Sequence, residues 1–177
     1  MSSSSVRSSA APPALALRGD WRIAALWLLA AGLAQATVVH FLAPRGAVPS
    51  LILIVVALFA SRSSARGAIL FGAAAGVLDD ALAGNTGAAW TIATTVAALA
   101  MCGSARVLFV DSTAVFAAMV FAAALLRDGI FWSVMSLQGY PPGLGVHDTK
   151  LALASAAYTA AVALLVRVVR ARRQGHP

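Results

Sequence analysis

The sequence has no glutamate, one lysine and one cysteine among its 177 residues, and charged side chains make up 11% of it. An ordinary soluble domain carries about 25%. Six aspartates and 13 Lys+Arg are too few to coat a water-facing surface, which argues against a soluble fold and for lipid as the main solvent. The lone thiol, Cys102, excludes an internal disulfide, a structural zinc site and a redox pair. His40, His147 and His176 have no second His, Cys or Glu at ligand spacing, so they read as interfacial or solvated groups. There is no nucleophile elbow, P-loop or HExxH motif, and Ser133 and Ser136 on an apolar helix read as satisfied hydroxyls. Neither an enzyme nor a metal or other cofactor is expected. No period of 20–50 residues repeats, so no solenoid or inverted-repeat transporter is indicated.

What is abundant is apolar: 60% of the residues are hydrophobic and the mean hydropathy is +0.86. The net charge of +7 would suggest nucleic acid in a soluble protein, but the arginines stand in ones and twos between apolar runs. That spacing is topogenic and predicts no nucleic-acid contact. Residues 1–20 are rich in Ser, Ala and Pro and are expected to be a disordered cytoplasmic tail. Six apolar runs follow within a transmembrane domain spanning 21–170, at Ile23–Leu42, Val48–Ala60, Gly67–Ala83, Gly87–Ala105, Ser112–Leu137 and Leu151–Val169. Residues 171–177 form a basic cytoplasmic tail. Ala34-Gln35-Ala36 resembles a signal-peptidase site, but the apolar run continues through Val38, Val39, Phe41 and Leu42, which suits an uncleaved anchor.

The run Val48–Ala60 is short for a crossing. Six crossings with the N-terminus inside put ten of the 13 cations on the inner side and leave only Arg45, Arg127 and Lys150 outside. If the second run fails to cross, the count becomes five inside against eight outside. The positive-inside rule therefore favours six transmembrane helices with both termini cytoplasmic.

The densest motif runs from Gly72 through Gly76, Asp79 and Asp80 to the Gly84-Asn85-Thr86-Gly87 turn. Gly72 and Gly76 lie four apart and form a small-residue stripe for close packing, either within the chain or with a partner. Asp79 and Asp80 fall within roughly 60° of that stripe and should face protein. A carboxylate at mid-span costs about 2.5–3.5 kcal/mol even on a lenient scale, so a partner is expected. Counted from the start of each run, Asp79 and Arg127 sit at about 18 and 22 Å. Arg127 is therefore expected to pair with Asp79 or Asp80, leaving Asp128 toward the outer mouth. Alternatively, a fifth span starting at Val107 leaves Arg127 and Asp128 at the interface. Adjacent aspartates point about 100° apart, a poor arrangement for a catalytic metal. Trp132, Tyr140 and Pro141-Pro142 suit an outer aromatic belt and helix stop, or a docking surface for an envelope protein.

In order and spacing these features resemble the MreD family of rod shape-determining proteins. The resemblance runs from Pro49-Ser-Leu-Ile-Leu to Asp128-Gly-Ile-Phe-Trp132 and then more loosely to the sixth run, with Gly76-Val-Leu-Asp79 and Gly84-Asn-Thr-Gly87 its most specific part. Asp80 stands where the family usually has an apolar residue, and Arg127 beside Asp128 is also unusual. The resemblance implies an all-α, polytopic, six-helix fold similar to the substrate-binding membrane component of energy-coupling-factor transporters. It implies a non-enzymatic inner-membrane subunit of the bacterial cell-elongation machinery. Its partners would be MreC, the actin-like MreB, RodA and the associated transpeptidase. Pro49, Gly76, Asp79, Gly84, Gly87 and Asp128 are the positions carried over. The alternative is a vitamin-type binding subunit of a transporter, with a pocket near Asp79 and Trp132.

Overall fold

The computed structural model describes residues 16–37, 46–84, 86–108, 112–139 and 145–174. Six α-helices account for the regular structure of these residues: α1 (Ala16–Thr37), α2 (Leu51–Ala60), α3 (Ala65–Ala83), α4 (Ala89–Val107), α5 (Thr113–Leu137) and α6 (Gly145–Gln174). The first fifteen residues of the expected tail, the end of the first run at 38–42 with His40, and Asn85, Tyr140, Pro141, Pro142 and His176 lie outside the described residues.

Helix α1 begins at Ala16, inside the stretch expected to be a tail, and α6 runs to Gln174, inside the other. Both extensions have one cause. A helix already nucleated on an apolar run gains one hydrogen bond for each further residue ordered, and Ala, Leu and Arg are good helix formers.

The second apolar run departs more. Its helix is only the ten residues Leu51–Ala60, about 15 Å long. Residues 47–50 just before it are non-helical, because Pro49 holds no N–H for a helical bond and Ser50 adopts extended backbone (φ −86°, ψ 98°) as the N-cap. Ser64 caps α3 likewise, accepting from Gly67 N, and α3 stops at Gly84, whose φ of +63° suits glycine.

Successive helices alternate in direction. At one end the tail of α1 meets the start of α2 through Gln35, and the tail of α5 meets the α3–α4 turn through Gln138 Nε2, which donates to Gly87 O at 3.4 Å. At the other end Trp21 of α1 packs edge-on against Phe59 and Phe71, while Cys102 Sγ of α4 donates to Ser63 O at 3.4 Å. Arg62, Arg66 and Arg106 belong to this second end, as does Arg167, whose guanidinium lies 4.6 Å from the Phe116 ring centroid. Arg127 and Lys150 belong to the first.

Two helices, Thr113–Leu137 and Thr149–Arg170, are long and apolar enough to cross a membrane. Only 33% and 17% of their most apolar windows are buried within the chain. Large apolar side chains also stand exposed along α1, among them Leu26, Trp27 and Leu33. The core proper is built on α2, with Ile52, Leu53, Val56 and Ala57 fully buried.

Candidate functional site

The glycine stripe is consumed within the chain. A Cβ on Gly76 would stand 2.8 Å from Trp90 O, and one on Gly72 would stand 2.7 Å from Ala98 Cβ. The α3 and α4 backbones meet here at a distance that only glycine permits. The expectation that this stripe serves either packing or a partner resolves to packing against α4, and a partner span would need another face. Of the turn glycines, Gly84 and Gly87 both have positive φ; Gly84 has open space around it, and Gly87 touches the Gln138 side chain.

Asp79 and Asp80 do different work. Asp80 is a cross-helix cap: its Oδ1 accepts from Thr86 Oγ1 at 2.5 Å and Trp90 N at 3.1 Å, and its Oδ2 accepts from Thr91 N at 2.9 Å and Thr91 Oγ1 at 2.6 Å. The expectation that Asp80 joins an ion pair is corrected: its four acceptor bonds go to hydroxyls and to the free N–H groups at the start of α4. Ala88, the residue before α4, has no side chain that could cap it.

Asp79 faces the bundle. It is the fifteenth residue of α3, as Arg127 is of α5, so the two lie at matching heights of about 21 Å along their helices. Arg127 Nη1 donates to Asp79 Oδ2 at 3.1 Å and to Ser50 Oγ at 3.0 Å. Its guanidinium carbon lies 4.5 Å from the Trp90 ring centroid, and Phe131, one turn further along α5, stacks on the same indole at 3.9 Å. Asp128 Oδ1 is 3.8 Å from Arg127 Nε, beyond hydrogen-bond range, and Nε has no hydrogen-bond partner although it is buried. Helix α5 begins at Thr113, so the reading that starts the fifth span at Val107 is corrected; the Ser104–Leu108 bond closes α4 there instead.

The same cluster supports the broken start of α2. Val48 N donates to Ser155 Oγ, Ser50 N to Thr159 Oγ1, Leu51 N and Ile52 N both to Gln35 Oε1, and Leu53 N to Ser50 Oγ. Side chains from α1 and α6 thus replace the backbone acceptors that a longer helix would have supplied. Non-helical backbone inside an apolar bundle survives only with such substitutes. Gln35, Ser155 and Thr159 were not singled out in the sequence. Their one signal is that they are polar within apolar runs.

Gln35, Ser50, Trp90, Arg127, Asp128 and Ser155 line a partly open cavity of ≈ 240 Å³. Neither Asp79 nor Trp132 lines it; Arg127, which does, lies 3.1 Å from Asp79, and Trp132 packs edge-on against Phe131. Ser133 donates to Gly129 O. Among the described residues no three His, Cys, Asp or Glu side chains are grouped to hold a metal ion. Chemically, the arrangement offers a buried charge cluster, a helix start held by neutral side chains and a small polar recess. Comparison with family models, with curated proteins and with solved structures finds no match to this chain.

Proposed function

We propose that this chain is a six-span, non-enzymatic subunit of a bacterial inner membrane. It would scaffold the cell-elongation machinery as MreD-like proteins do, alongside MreC, MreB, RodA and the transpeptidase. The observation that carries the reading is convergence. Pro49 beside Ser50, Asp79 of α3, and Asp128 beside Arg127 of α5 are far apart in sequence and come from the stretches on which the resemblance rests. They assemble around one buried charge cluster. Charges inside an apolar bundle are costly and pair inward, and this cluster ties α2, α3 and α5 into a rigid body that a partner can lean on.

The topology has its own support. The described arginines near the inner end of the proposed span, Arg62, Arg66 and Arg106, sit at the end opposite Arg127 and Lys150. The non-helical residues 47–50 lengthen the 15 Å of α2, which by itself covers about half of the roughly 30 Å hydrocarbon thickness. The vitamin-transporter alternative draws on the cavity, but ≈ 240 Å³ is below the roughly 300–1,000 Å³ that encloses a drug-sized ligand.

The test is co-expression with a candidate MreC followed by purification in detergent, combined with a reporter fused to the carboxyl end. A stable stoichiometric complex and a cytoplasmic reporter are expected. Failure to form a complex, together with tight binding of a vitamin, would overturn the scaffold reading, and a periplasmic reporter would overturn the six-span threading.

A further inference from the structure

The end of the bundle opposite Arg127 carries arginines that the chain itself does not pair. Arg22 of α1, Arg62 of the α2–α3 turn, Arg66 of α3 and Arg106 of α4 are all exposed. Among the described residues none of the four meets a carboxylate, and Arg106 makes a single contact, from Nη2 to Cys102 Sγ at 3.6 Å. Packing beneath them draws them to one side. Trp21, the neighbour of Arg22, lies edge-on to Phe59 and Phe71, and the Cys102 Sγ that receives Arg106 donates to Ser63 O, between Arg62 and Arg66. In sequence, Asp20 and Asp111 are the acids that belong to this end, too few to neutralise these arginines and those of α6.

Three of the arginines stand in the same relation to apolar surface. On α1 the exposed Leu26 follows Arg22 by four residues, and on α3 the exposed Leu70 follows Arg66 by four. On α4, which runs the other way, the exposed Leu99 precedes Arg106 by seven. Spacings of four and seven keep two side chains on one helix face. Each helix therefore presents a bare leucine with an arginine in line with it, about 6–10 Å nearer the end of the bundle.

Positive charge in short loops is enough to set the direction of threading. It does not require guanidinium groups within three helices, each above an uncovered leucine. That pairing fits an amphiphile, with acyl chains on the leucines and an anion level with the arginines. A free anion leaves the leucines uncovered, and a zwitterionic headgroup brings its own ammonium to a surface that is already positive. An acidic polypeptide matches the charge and not the leucines.

We propose that this end of the bundle binds anionic phospholipid, with the phosphodiester held by Arg22, Arg66 and Arg106 and the acyl chains lying along Leu26, Leu70 and Leu99. Guanidinium groups pair with phosphate oxygens through charge-assisted N–H bonds. The proposal rests on the chain lying in a bilayer and not on any scaffolding role.

The experiment uses the full chain in neutral detergent, stripped of lipid. Phosphatidylglycerol and phosphatidylcholine of equal chain length are offered in equal amounts, and retention is read by native mass spectrometry. Phosphatidylglycerol should be retained at least tenfold over phosphatidylcholine, and the preference should fall as salt is raised. Arg22→Gln, Arg66→Gln and Arg106→Gln should each weaken phosphatidylglycerol about fivefold and leave phosphatidylcholine unchanged. Arg22→Lys, Arg66→Lys and Arg106→Lys should keep the preference, as should Lys150→Gln at the opposite end. Equal retention of the two lipids, glutamine variants that hold phosphatidylglycerol as the unaltered chain does, or an equal loss in Lys150→Gln overturns the proposal. So does displacement of phosphatidylglycerol by inorganic phosphate or polyglutamate at matched charge. A chain that stays monodisperse without detergent refutes the bilayer reading and the proposal with it, whereas a detergent-dependent chain indifferent to lipid charge refutes the proposal alone.

Discussion

Removing the Arg127 guanidinium as Arg127→Met strands two carboxylates at once, Asp79 with 6% of its side chain exposed and Asp128 with 20%. Breaking a buried pair from one side typically costs about 3–5 kcal/mol, because the remaining charge is left uncompensated. Ser50 Oγ and the Trp90 face lose their contact as well. Asp79→Asn is milder. It keeps a hydrogen-bonding side chain, and Arg127 retains Ser50, Asp128 and Trp90, so the cost should be that of a charge-assisted bond, about 1.5–3 kcal/mol. In the double variant the amide at position 79 carries no charge that a guanidinium must neutralise, so its loss should fall short of the sum of the two single losses by about 1–3 kcal/mol. The assay is reversible unfolding in mixed micelles with increasing dodecyl sulfate, run on all four proteins of the cycle. If the two losses add to within about 0.5 kcal/mol, the contact does not stabilise the fold and the reasoning fails. Exchanging the two charges is not expected to restore stability, since the short carboxylate side chain placed at position 127 reaches neither Ser50 nor the indole as arginine does.

Gly76→Ala should lose about 1–3 kcal/mol in the same assay, because its methyl would stand 2.8 Å from Trp90 O and force α3 from α4; Gly103→Ala, with nothing within 4 Å, should gain about 0.5–1 kcal/mol. Asp80→Ala removes all four bonds at the start of α4, and a loss of about 1–2 kcal/mol is expected with faster amide exchange at Trp90 and Thr91; unchanged exchange there would disprove the cap. Gln35→Leu strips the acceptor from Leu51 N and Ile52 N, which should cost about 1–3 kcal/mol and speed exchange at those two amides more than at Val56 in mid-helix.

Much of the helix inventory was legible because an apolar run bounded by arginines or glycines has few alternatives to a helix. The boundaries of α3 and α5 lie close to those read from composition, with Gly84 and Ser112 as visible punctuation. The second run misled for a local reason. Hydropathy treats Val48, Pro49 and Ser50 as a continuation of the apolar segment, whereas Pro49 and Ser50 make a helix start there. The division of labour between the two aspartates was hidden because they differ by one residue and about 100° of helical rotation. The direction each takes depends on where α4 and α5 pack.

The apolar runs by themselves pointed to a helical chain with apolar outer faces, and the six helices with exposed Leu26, Trp27 and Leu33 agree. They also determined which residues are expensive to place, namely the acids and Arg127 within apolar runs. Tertiary structure decided their use: the α3–α4 approach committed the glycines, and packing turned Asp80 to a backbone and Asp79 to a guanidinium. The physical reason is that hydropathy is a sum along the chain, while hydrogen bonds and charges are satisfied by whichever groups the packing brings within about 3 Å.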